Sequence, residues 1–124
     1  MEQTKTHRVL WISRHTMTGE QRADLERVMG GPVELTVWSD TVENLQDLQP
    51  LVRRSDAVAA VLPAEKLAQL LEIAGGRPVL QAKSGRMATG RWTTQPDGRR
   101  EREFVFVHCG WQQILQVRIK TRAL

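Results

Sequence analysis

Asp56-Ala57-Val58-Ala59-Ala60-Val61-Leu62, followed at once by Pro63, is the stretch that decides the fold class. It is apolar without alternation, so both of its faces must be covered. A short β-branched run of that kind belongs in a parallel sheet with helices on both sides. Pro63 suits the first turn of a helix, because it has no N–H to leave unpaired. Leu67, Leu70, Leu71 and Ala74 then recur at helical spacing, and Gly75-Gly76 ends the segment.

Upstream, Arg8-Val9-Leu10-Trp11-Ile12-Ser13 reads as a first buried strand. Thr18 with Gln21 three residues on is a capping-box signature, so a helix is expected from Gly19, with Ala23, Leu25, Val28 and Met29 on its apolar face. Gly30-Gly31-Pro32 stops it. Pro32 to Trp38 alternates apolar and polar residues and predicts a second strand nearer a sheet edge. Asp40 or Thr41 is the expected cap of the next helix, which carries Val42, Leu45, Leu48, Leu51 and Val52. Pro50 should break it and start a short new helix.

Downstream, Pro78-Val79-Leu80-Gln81-Ala82 is a fourth strand. Three strand-helix units and a further strand with short connections predict a Rossmann-like or flavodoxin-like α/β layer with a mainly parallel sheet. The Pro96-Asp97-Gly98 turn between Gly90–Thr94 and Arg102–His108 predicts a β-hairpin. Ile114 to Lys120 alternates and predicts a final strand. No linker or repeat interrupts the chain, so residues 1–124 are read as one domain.

The chain has a net charge of +4. Residues 1–76 hold 8 Lys/Arg against 11 Asp/Glu, while residues 77–124 hold 10 against 3. The C-terminal portion is therefore +7 and the remainder −3, an asymmetry suited to an anion-binding face. The single cysteine, Cys109, excludes an intrachain disulfide and favours a reducing compartment. Met1-Glu2-Gln3-Thr4-Lys5 leads into the first strand without an apolar leader, and nothing approaches the roughly 18 apolar residues of a membrane span. A cytoplasmic protein without a membrane partner is expected.

In open α/β sheets, ligands bind beyond the carboxyl ends of the strands, where helix N-termini offer free N–H groups to anions. The turn Ser13-Arg14-His15-Thr16-Met17-Thr18 lies there, with hydroxyls, a guanidinium and an imidazole. A purely structural account gives Thr18 a cap, Ser13 a strand end, and Arg14 and His15 solvent. Lys83-Ser84-Gly85-Arg86 follows the fourth strand and is expected as a loop at the same sheet edge, converging on that turn. Neither Gly-x-Gly-x-x-Gly nor Gly-Lys-Ser/Thr is present, so no nucleotide cofactor is expected. Three scattered histidines give no metal-ligand spacing. His108 and Cys109 are strand neighbours on opposite faces and do not make a nucleophilic pair. Trp11, Trp38 and Trp111 are read as core or interface residues, and Trp92 first as a hairpin-packing residue and second as the best candidate for base stacking.

Two stretches, Ser13-Arg14-His15-Thr16-Met17-Thr18-Gly19-Glu20-Gln21 and Arg77 through Gln95-Pro96-Asp97-Gly98 to Phe106-Val107-His108, together resemble the small standalone CRISPR-associated CARF-like proteins that include the ring nucleases. The first is similar to that family's Ser-His-x-Leu-Thr-x-x-Gln turn, with Arg14 standing between serine and histidine. The resemblance implies a CARF-like three-layer domain that binds a cyclic oligoadenylate, a second messenger of type III CRISPR defence, as a homodimer. In ring nucleases it further implies metal-independent cleavage by 2′-OH attack. His15, Ser13 and Lys83 would then be catalytic, with Arg14, Thr16, Thr18, Ser84 and Arg86 binding the ligand. Two other readings remain: a non-catalytic cyclic-nucleotide sensor or sequestering module, and a basic RNA- or DNA-binding accessory protein.

Overall fold

The computed structural model describes residues 5–124. Of the N-terminal segment read above, Met1–Thr4 lies outside the described residues. The elements run β1 (His7–Ile12), α1 (Gly19–Met29), β2 (Val33–Trp38), a 3₁₀ turn (Leu45–Leu48), α2 (Gln49–Arg53), β3 (Ala57–Ala60), α3 (Ala64–Ala74), β4 (Val79–Thr94) and β5 (Arg100–Gln113). They form one five-stranded sheet in the order β2-β1-β3-β4-β5. The first three pairings are parallel and β4–β5 is antiparallel. β2 is an edge strand, as its alternation predicts.

Period-two side-chain alternation divides the core between the two faces of this sheet. Leu10 and Ile12 of β1 and Val58 and Ala60 of β3 meet Leu45, Leu48, Val52, Leu67 and Leu70 on the α2–α3 face. Val9, Trp11, Ala57 and Ala59 point the other way, onto Leu25 of α1. The chain moves outward from β1 to β2 and then returns past β1 to β3. Crossovers of one hand therefore put α1 on one face and α3 on the other.

Local signals set the helix ends. Thr18 Oγ1 accepts from the Gln21 N–H at 3.1 Å, Gln21 Oε1 accepts from the Thr18 N–H at 2.9 Å, and Gly30 closes α1 at φ 82°. Only Leu25 of α1 is fully buried, and Ala23 and Val28 are exposed, so its expected apolar face is narrower than the spacing suggested. The helix expected from Val42 starts instead at Leu45, and its cap is Asn44 rather than Asp40 or Thr41. Asn44 Oδ1 accepts from the Gln46 N–H. Pro50 then falls in the first turn of α2, where its missing donor does no harm.

Two expectations fail downstream. Lys83-Ser84-Gly85-Arg86 is not a loop: β4 runs unbroken from Val79 to Thr94, and all four residues pair with β5. Ile114 to Lys120 forms no strand. β5 already closes that side of the sheet, and after the Ile114 N–H bonds the Val79 carbonyl the chain turns, packing Ile114 and Val117 on the α2–α3 face. The antiparallel pair extends well past β3, whose partners in β4 are only Val79 and Leu80. Beyond Ala82 it is a two-stranded arm.

Candidate functional site

The carboxyl ends of β1 and β3 flank the point where strand order reverses, the place where open α/β sheets leave a crevice. A cleft of about 320 Å³ opens there. Ser13, Arg14 and His15 line it from the end of β1, Asp40 to Val42 from beyond β2, and Val61 to Pro63 with Lys66 from the β3–α3 junction.

The turn is held by the core below it. The buried Trp11 indole N–H donates to the His15 carbonyl at 2.9 Å, and the Ser13 hydroxyl accepts from the His15 N–H at 3.0 Å. Backbone direction is thus fixed on both sides of His15 while its imidazole is exposed. The Arg14 guanidinium donates to Thr41 Oγ1, which draws it across the cleft mouth. Lys66 Nζ donates to the Glu43 carbonyl at 2.6 Å from the opposite wall. Two cations and an imidazole therefore share the rim with one carboxylate, Asp40.

The remaining predicted residues are divided. Thr16 lines a smaller cleft on the other flank of the turn, beside Trp11, Met17 and Arg22, and Ser13, Arg14 and His15 border both clefts. Thr18 and Ser84 face each other across a separate cleft of about 550 Å³ between the start of α1 and the arm, with Phe106 and His108. Lys83 and Arg86 do not reach the Ser13 cleft, because the strand carries them away from it. The expected convergence of the two groups is therefore corrected: only Ser84 approaches the α1 turn, where it borders one cleft with Thr18.

Lys66 is the residue that sequence reasoning missed. Its signal is positional, since Pro63 at the end of β3 puts the first turn of α3 on the same sheet edge as Ser13.

A second group ties α1 to the base of the arm. Asp24 lies 2.8 Å from His108 Nε2 and 2.7 Å from Arg27 Nε, and both hold its carboxyl below the ordinary aspartate range, His108 most strongly. The Trp111 indole N–H donates to the Gln21 carbonyl at 3.0 Å, and its ring meets Trp11 edge-on with centroids 6.0 Å apart. His108 is only 9% exposed and Cys109 is exposed, so the two side chains face apart.

Among the described residues, no group of three or more His, Cys, Asp or Glu side chains is arranged to hold a metal ion. No helix among them is long and apolar enough to cross a membrane. No family model, no curated protein and no solved structure matches the chain.

Proposed function

We propose that this chain is a CARF-like, Rossmann-like ring nuclease that binds a cyclic oligoadenylate in the Ser13 cleft and opens it without a metal. The observation that carries this reading is the exposed His15 on a hydrogen-bonded turn, bordering the same cleft as Arg14 and Lys66, at the strand-order reversal. An RNA phosphodiester can be cleaved by its own neighbouring 2′-hydroxyl when the backbone is held in line. The protein then needs to orient the ribose, move a proton and stabilise charge on the phosphate.

In that reaction the 2′-oxygen forms a bond to phosphorus as the bond from phosphorus to the 5′-oxygen breaks. One proton leaves the 2′-hydroxyl and one arrives at the 5′-oxygen. The His15 imidazole has one nitrogen that can take a proton and one that can give it, and Arg14 and Lys66 are suited to holding the phosphate oxygens. Ser13 acts through the turn, fixing the His15 backbone. Lys83 and Arg86 have no part in this arrangement. A ring ligand has its own symmetry, and a two-fold homodimer would offer it two such clefts.

The test is incubation of the purified protein with cyclic tetra- and hexa-adenylate in EDTA, with separation of products and an independent measure of mass in solution. Linear products are expected. His15→Ala should lower turnover by about 10²- to 10⁴-fold while keeping ligand bound, and Arg14→Ala should weaken binding. Binding without turnover in the unaltered protein would instead identify a sensor. A dimer that neither binds nor cleaves either ring would overturn the reading.

A further inference from the structure

The arm carries chemistry that the Ser13 cleft does not use. The β4–β5 register sets Arg86 opposite Phe106, Ala88 opposite Phe104, Trp92 opposite Arg102 and Thr94 opposite Arg100, so these residues share one face. The Arg86 guanidinium lies 4.2 Å from the centre of the Phe104 ring, and those of Arg100 and Arg102 lie 5.7 and 5.4 Å from a Trp92 ring centre. The three rings are nevertheless open to solvent: Phe106 is 79% exposed, Trp92 51% and Phe104 43%.

Charge is sorted between the two faces. Glu101 and Glu103 alternate onto the opposite face, and Asp97 at the tip pairs with Arg99. Among the described residues, none of Arg86, Arg100 and Arg102 joins an ion pair. One side of the arm is thus three aromatic rings interleaved with three unneutralised guanidiniums and no carboxylate of the arm's own, with Glu20 of α1 bordering the cleft beside Phe106 at its base.

We propose that this face is a platform for single-stranded nucleic acid, with bases stacked on Phe106, Phe104 and Trp92 and phosphates met by Arg86, Arg100 and Arg102. Flat rings accept any base, and the guanidiniums supply the attraction for the backbone. Phe104 and Phe106 are two residues apart on one strand, so the points from which their side chains rise are spaced by about 6.8 Å. That is twice the roughly 3.4 Å per nucleotide of a stacked duplex strand. Bases that use both rings must leave their own stack, which a single strand permits and a duplex resists. A second copy of the chain fits this face poorly, because a two-fold contact would bring three guanidiniums from each copy together with no carboxylate of either arm to answer them.

Fluorescence anisotropy with labelled oligo(dT) and oligo(rU) of about 16 nucleotides, the upper end of site sizes for such grooves, tests this directly, with a duplex of equal length as comparison. The single strands should bind more tightly than the duplex, with affinity falling as salt rises. Phe106→Ala and Trp92→Ala should each weaken binding by about fivefold or more. Replacing Arg86, Arg100 and Arg102 together by Gln should make the logarithmic salt slope shallower by about 2. All these side chains are exposed, and circular dichroism of each variant checks the fold. Absence of binding, equal affinity for the duplex, or aromatic variants that bind unchanged would overturn the proposal. So would aromatic variants that convert a dimer to a monomer in sedimentation while nucleic-acid affinity stays the same.

Discussion

Arg77 shows how one side chain can close two helix ends. Its guanidinium donates to the carbonyls of Ser55, Ala74 and Arg53 at 2.9, 3.1 and 3.0 Å, taking up acceptors left by the last turns of α2 and α3. Arg77→Ala should cost about 2–3 kcal/mol in urea denaturation, because charged donors to partly buried carbonyls are lost together. Arg77→Lys should recover little of it, since one ammonium cannot span three divergent carbonyls. Two carboxylates give the residue-scale pH dependence. Asp24 is held below its ordinary range by His108 and Arg27, and Asp56 by the Arg8 N–H, which it accepts at 2.8 Å. A lowered folded-state value means the stabilisation is full above the unfolded aspartate value, about 4, and is lost as pH falls through the lower folded values. The urea midpoint should therefore drop below about pH 4, and the Asp24→Asn, Asp56→Asn double variant should show a shallower drop. An unchanged slope would rule these two groups out as its source.

Among the elements, what could be read from sequence followed what water sees. β1 and β3 are covered on both faces and β2 on one, so their residues carry the pattern of burial, and Thr18 and Gln21 name the start of α1 outright. The hairpin turn was legible from Pro96-Asp97-Gly98, where Gly98 takes φ 85°. The length of β4 was not legible. Lys83, Ser84 and Arg86 are exposed, so their strand is held by pairing with β5 and shows no apolar period. The segment from Ile114 misleads in the opposite sense: it alternates, yet Ile114 and Val117 dock at a three-residue interval on the core. The candidate turn was legible as far as His15, but its partner Lys66 lies one helical turn past a different strand. The arm's own geometry makes a sharper claim at Gly85. A Cβ placed there would stand 2.9 Å from Cys109 Sγ, the side chain of the extra residue where the register shifts between Lys83 and Ser84. Gly85→Ala should cost about 0.5–1.5 kcal/mol, because the exposed Cys109 side chain must leave its rotamer to make room. Adding Cys109→Ala should return most of that, and chemical denaturation of the four proteins in this cycle measures the coupling.

For the molecule as a whole, the charge asymmetry is shared between the arm and the segment after it, which holds Arg118, Lys120 and Arg122. Lys83, Arg86, Arg91, Arg99, Arg100 and Arg102 lie on the arm, while the Ser13 cleft draws its cations, Arg14 and Lys66, from the acidic portion of the chain. Two groups of cations therefore sit on separate parts of one sheet, joined through β4. That strand pairs with β3 only at Val79 and Leu80, and everything beyond Ala82 is bonded to β5 alone. Backbone amides of the arm thus depend on one partner, while those of β1 are enclosed by β2 and β3. Opening the arm exposes little buried apolar surface and leaves the two-sided core intact, so it should occur without global unfolding. Hydrogen exchange followed by mass spectrometry should divide the sheet into two tiers. Peptides covering 84–94 and 100–108 should exchange early, and those covering 8–12 and 57–60 only at the rate of complete unfolding.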